Sequence, residues 1–84
     1  MEKRRILLEA LQDNSASLTE LAQTLGYDLS YISLIYAGDR PVTERFCARV
    51  IGRMPHHAGL AWDAREEIVA ERWQAMRAAA AASE

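Results

Sequence analysis

Three observations on this sequence predict an all-α fold, a compact bundle of four to five helices. Apolar residues recur at three- and four-residue spacing along most of its 84 positions. These runs are punctuated by residues that start helices (Ser17, Asp28, Thr43) and residues that end them (Gly26, Gly38, Pro41). Half of the residues are hydrophobic, enough for a globular chain, while the length allows one modest core.

The first helix is expected from Glu2 to about Asp13, where Ile6, Leu7, Ala10 and Leu11 share a side. Lys3, Arg4 and Arg5 crowd its start and oppose the helix dipole, which calls for a reason such as an anionic partner. Asp13 to Ala16 reads as a loop. Ser17 to Glu20, "SLTE", is a capping box, with the serine hydroxyl accepting from the Glu20 amide. Leu18, Leu21, Ala22 and Leu25 then form an amphipathic stripe that ends at Gly26, where a left-handed residue is expected. Asp28 is placed to cap a third helix from Leu29 to about Ala37, with Ile32 and Ile35 inward, Tyr31 beside them and Gly38 as its stop. Pro41 in "GDRP" makes a turn.

Thr43 or its neighbours cap a fourth helix, with Phe46, Cys47, Val50, Ile51 and Met54 on one side. Arg45, Arg49 and Arg53 line the opposite side; solvation, or pairing with Glu66, Glu67 and Glu71, is the expectation for them. "PHHAGLA" reads as a connector, and Asp63 with Glu66 as a second capping box. The helix that follows runs into an alanine tail with high helix propensity and little to bury, so its end is expected to fray. The organisation predicted is a bundle over 1–54, a connector over 55–62 and a C-terminal helix over 63–84.

Bulk properties narrow the function classes. No apolar run approaches the length that crosses a bilayer, and the start lacks a signal-peptide pattern, so a cytoplasmic protein without membrane partners is expected. The single cysteine, Cys47, cannot make an internal disulfide and sits on an apolar helix side, which predicts a buried thiol. Net charge is −2; residues 1–55 balance seven basic against seven acidic side chains, and residues 56–84 carry three against five. A nucleic-acid partner would therefore need a locally basic face. His56-His57 lack further ligands at useful spacing, so no metal or other cofactor is expected. No phosphate loop, paired carboxylates or nucleophile–base set points to an enzyme.

Two short helices separated by a glycine-containing turn of three residues match the helix-turn-helix arrangement, in which the first helix braces the second and leaves its outer face free. The stretch "LAQTLGYDLSYISLIYAGDRP" resembles the motif of the lambda-repressor-like, Cro-type helix-turn-helix domains. Leu21, Ala22, Leu25, Gly26, Ile32, Ser33, Ile35 and Gly38 carry the resemblance, which spans roughly residues 1–54. It implies a bundle of four or five helices, sequence-specific binding of double-stranded DNA, a homodimer and a regulatory role in phages, mobile elements or bacteria.

Carried over by position, the resemblance implies that Leu29, Ser30, Ser33 and Leu34 face bases. Tyr31, Tyr36 and Arg40 would lie near the ends of the third helix and the phosphates, with Ser17 and Tyr27 also facing phosphate. Family members often place Gln, Arg, Asn or Lys where this sequence has two leucines and two serines, and a glutamate where it has Tyr36. Readout would then lean on serine hydrogen bonds, leucine against thymine methyls and DNA shape. Lys3, Arg4 and Arg5 are candidates to clamp phosphates alongside Arg40, against the alternative of ordinary solvated surface.

The exposed leucines leave a second reading open, a patch that grips another protein. In the last helix Trp62, Val69, Trp73, Met76 and Ala80 share a narrow sector, while Ile68 points elsewhere. That stripe either docks on the N-terminal bundle or forms a homodimer interface, and a protein partner through this helix is a further option. A homodimer would place two recognition helices about one DNA turn apart, so the operator is expected to be an inverted repeat.

Overall fold

The computed structural model describes residues 2–13 and 17–82. It is all-α. Helices α1 (Glu2–Asp13), α2 (Leu18–Leu25), α3 (Leu29–Ala37), α4 (Glu44–Arg53) and α5 (Ala58–Ala82) follow in order, with one 3-10 turn, Pro55–His57, ahead of α5. No described helix is long and apolar enough to cross a membrane. The expected loop over Asn14, Ser15 and Ala16 lies outside the described residues.

Local signals operate as their chemistry requires. The Glu20 amide donates to Ser17 Oγ (3.2 Å), and the Phe46 amide to Thr43 Oγ1 (3.1 Å), so both helix starts are satisfied by side chains. Gly26 (φ 75°) and Gly38 (φ 86°) end α2 and α3 in the left-handed region, where a side chain would be strained. Asp28 takes the N-cap position of α3, yet its carboxylate makes no cap hydrogen bond; its carbonyl accepts from the Tyr31 and Ile32 amides instead.

One core joins the elements. Leu7 and Leu11 of α1, Leu21, Ala22 and Leu25 of α2, and Ile32 and Ile35 of α3 meet Phe46, Cys47 and Val50 of α4, all buried. Ala61 and Ala64 close it from α5, and their small side chains let that helix approach closely. Ile51, Met54 and Ile68 are half-buried against this core.

The region after α4 differs from the sequence expectation. The connector predicted over 55–62 is largely helix, because α5 begins at Ala58, and Asp63 and Glu66 lie inside α5 rather than capping it. Pro55 is tolerated at the first position of the 3-10 turn, where no amide is needed. His57, Ala61 and Ala64 are buried, so packing pulls the segment into helical register despite Gly59. At the other end helical geometry persists through Ala82, with every residue from Ala70 onward exposed. The alanine tail, expected to fray, is helical through Ala82. The overhang draws the molecule out to 50 × 24 × 19 Å.

Candidate functional site

Helix α3 sets the geometry of the site. Its nine residues give Ile32 and Ile35 to the core and rest Tyr31 and Tyr36 on the flanks. Leu29, Ser30, Ser33 and Leu34 remain exposed on the opposite side, Leu29 at 44% and Leu34 at 37%. Helix α2 packs on α3 across the turn Gly26, Tyr27, Asp28, and a Schellman-like pair of bonds locks that turn: Gly26 N–H to the Gln23 carbonyl and Tyr27 N–H to the Ala22 carbonyl.

Tyr27 was expected to face phosphate, but the structure turns it inward. Its ring stacks on Phe46 (centroids 6.0 Å apart) and leans on Tyr31 (5.0 Å), and its hydroxyl is buried without a hydrogen-bond partner among the described residues. Burial raises its pKa above the ordinary value. Tyr36 departs in the same way. Its hydroxyl donates to the Leu8 carbonyl (2.8 Å), tying α3 to α1, and burial pushes its pKa up to about 12. Both phenols are structural because an aromatic ring at a helix edge gains more from the core than from water. Tyr31 is half-buried between the two roles, and Ser17 is exposed while its oxygen caps α2.

The basic residues divide. Arg4 does not face outward: Nε contacts Glu67 Oε1 at 2.9 Å, and a second guanidinium nitrogen binds Glu71. The Lys3 and Arg4 amides also donate to Glu67, at 3.0 and 3.4 Å, so a carboxylate from α5 caps α1. The anion that the basic start of α1 required therefore comes from this same chain. Burial alone would raise the Glu67 carboxyl, but the hydrogen bonds it accepts at the start of α1 outweigh that and hold it at about 2. Glu71 is lowered as well, chiefly by the Arg4 hydrogen bond.

Lys3, Arg5 and Arg40 keep exposed side chains. Arg5 has a long contact to Glu9 (3.9 Å), and with Arg40 it borders a groove of about 550 Å³ floored by Leu8, Ile35 and Tyr36, at the end of α3. Two cations thus stand at the C-terminal end of α3, beside Ile35 and Tyr36.

The row on α4 also departs from expectation. Arg49 neither dissolves into solvent nor pairs with α5; it donates to the Leu25 carbonyl (2.9 Å) and lies over the Tyr27 ring (5.0 Å). That carbonyl is one of those α2 leaves unpaired at its end, so Arg49 acts as a C-cap from another helix. Arg45 and Arg53 are exposed beside it, and Arg53 approaches the Gly26 turn. Sequence spacing showed the row; nothing in it showed that the α2–α3 turn lies underneath. Cys47 is fully buried, which raises its thiol pKa and leaves it inert.

On α5, Glu44 of α4 pairs with Arg72 and lies 3.9 Å from Arg65. Arg65 in turn covers Trp62 at 5.2 Å. Val69 is half-buried, while Trp62 (49%), Trp73 (61%) and Met76 (56%) stay exposed instead of docking on the bundle. The described residues hold no cluster of three or more His, Cys, Asp or Glu placed to bind a metal ion.

Compared with known proteins, the chain matches no family model, no curated protein and no solved structure.

Proposed function

We propose that this protein is a sequence-specific DNA-binding transcriptional regulator of the lambda-repressor-like, helix-turn-helix type, a small phage or bacterial repressor. Helix α3 enters the major groove, and α2 braces it from behind. The observation that supports this most is the division of α3: Ile32 and Ile35 anchor it in the core while Leu29, Ser30, Ser33 and Leu34 are presented together to the outside. Ser30 and Ser33 hydrogen-bond base edges, and Leu29 and Leu34 contact thymine methyls. Arg5 and Arg40 flank the end of α3 and serve as phosphate contacts, with Lys3 and Ser17 on the periphery. A second copy supplies a second α3, so the operator is an inverted repeat.

A gel-shift titration on random double-stranded DNA at low salt tests the reading. Retardation at micromolar protein that weakens steeply with salt is the expected result; no retardation overturns it. Selection from a random library then yields the operator.

A second reading is favoured by two specific observations. Arg4 is neutralised by Glu67 and Glu71, and Leu29 and Leu34 are the large exposed side chains of α3. On that reading α3 grips another protein, such as a repressor or polymerase subunit, with weak or no DNA binding. Loss of a purified protein partner's binding on Leu34→Ser, with no DNA shift by the parent protein, establishes it.

A further inference from the structure

Helix α5 offers a surface whose shape and charges fit a second copy of itself. At about 100° per residue, Trp62, Val69, Trp73, Met76 and Ala80 fall within a sector of about 60°. Glu66 and Arg77 lie on the same edge of that sector, three turns apart. Both are exposed, and neither makes an ion pair among the described residues. Arg65 and Arg72 occupy the other edge, where Glu44 already compensates them.

We propose that two chains pair through α5 in antiparallel orientation, centred near Glu71 and Arg72. In that register Trp62 of one copy lies opposite Ala80 of the other, and Val69 opposite Trp73. Glu66 lies opposite Arg77, twice by symmetry. Each tryptophan thus meets a smaller residue, and the two unpaired charges find each other. The alanine tail gains a role as the flat surface that receives Trp62. A parallel pairing would instead set Arg72 of one copy beside Arg77 of the other, two like charges, and leave Trp62 without a small counterpart. Antiparallel geometry is the one that the side chains complement.

The amount of surface agrees. A monomeric protein of 9.4 kDa exposes about 5000 Å². This chain exposes 5661 Å², an excess of roughly 650 Å² that approaches the ~800 Å² each partner gives to a standard interface. Its radius of gyration is 14.3 Å, against about 12 Å for a compact chain of this length. In the helix that carries the stripe, every residue from Ala70 to Ala82 is exposed.

The pairing deepens the dimer of the proposed function and rests on it only for its link to an operator. The test uses no DNA, so failure here and failure of DNA binding are separate results. Sedimentation of the full chain should show a dimer at micromolar concentration. Trp73→Ala, on an exposed site, should weaken it about tenfold or more with an unchanged far-ultraviolet spectrum. Glu66→Arg alone should weaken it a few-fold, and adding Arg77→Glu should restore it. Under mild oxidation the double variant Glu66→Cys/Arg77→Cys should cross-link, while neither single variant should. A monomer at high concentration overturns the proposal. So does cross-linking of a single variant, which signals parallel pairing, or a double charge reversal that restores nothing.

Discussion

In α3, Leu29 and Leu34 stand on one side of a nine-residue helix whose other side, Ile32 and Ile35, is taken up by the core. In α5, Trp62 and Val69 flank the bundle, while Trp73 and Met76 lie beyond its edge, on a stretch where every side chain is exposed. The two exposures have different origins. A short helix clamped at both ends by glycine turns shows its outer face because its neighbours hold it in place. A long helix shows its far half because the core is too small to cover twenty-five residues. Rigid presentation suits recognition of a fixed shape, and an overhang suits pairing with a like helix.

Substitutions can break or sharpen this contrast. The largest effect is expected where an aromatic ring is inside: Phe46→Ala should cost about 3–5 kcal/mol in urea unfolding, since Phe46 is fully buried with its ring stacked on Tyr27. Trp73→Ala removes a larger ring, yet should leave the stability of the monomer within about 0.5 kcal/mol. In a solution dilute enough to keep the chain monomeric, equal losses at the two sites would mean that α5 folds back on the bundle.

Next comes the turn that aims α3. Gly26→Ala should destabilise by about 1–2 kcal/mol from the left-handed backbone alone. It should lose more than that because the added methyl would sit 3.0 Å from the Arg49 guanidinium that caps α2. Gly38→Ala has the same backbone requirement and open space around it, so it should cost less. Thermal unfolding of the pair measures the difference.

The α1–α5 clamp should show itself through pH. Folding lowers the Glu67 carboxyl from its ordinary value near 4.5 to about 2, so the folded state favours the charged form. Its stabilisation is therefore complete above pH 4.5 and is lost as pH falls from there toward 2. Glu67→Gln should lower stability at neutral pH and flatten the acid limb of a plot of urea midpoint against pH. An unchanged limb would show that other carboxylates govern acid unfolding.

The smallest effects on stability are expected on the outer face of α3, and there the readout is binding. Arg40→Ala should weaken DNA binding on all sequences and lower the salt slope by about 1, with little change in folding. Ser33→Ala should alter the preferred sequence. Equal loss on every sequence would argue against direct readout at that position.

What could be read ahead of the structure follows from the range of each interaction. Ser17, Thr43, Gly26 and Gly38 act on amides and dihedrals within a few residues, so their roles were legible from neighbours alone. The inner faces of α2, α3 and α4 were legible for the same reason, since helical periodicity is a local property. The start of α5 was misread because Pro55 and Gly59 look like breakers, and only the burial of His57, Ala61 and Ala64 overrides them. Arg4 and Glu67 are 63 positions apart, beyond any spacing rule, so a cation expected to meet phosphate turned out to meet its own chain. The family resemblance places Tyr27 and Tyr36 toward phosphate; the packing of Phe46 and the Leu8 carbonyl turn them inward.

By itself the sequence determined the first four helices, where the short ones stop and which of their faces are apolar, because hydrogen bonds, dihedral limits and periodicity act over one or two turns. Tertiary structure alone decided which charges are spent internally, which tyrosines are buried and how far α5 projects past the core. Those outcomes depend on distances between residues remote in the chain, and no local pattern encodes them.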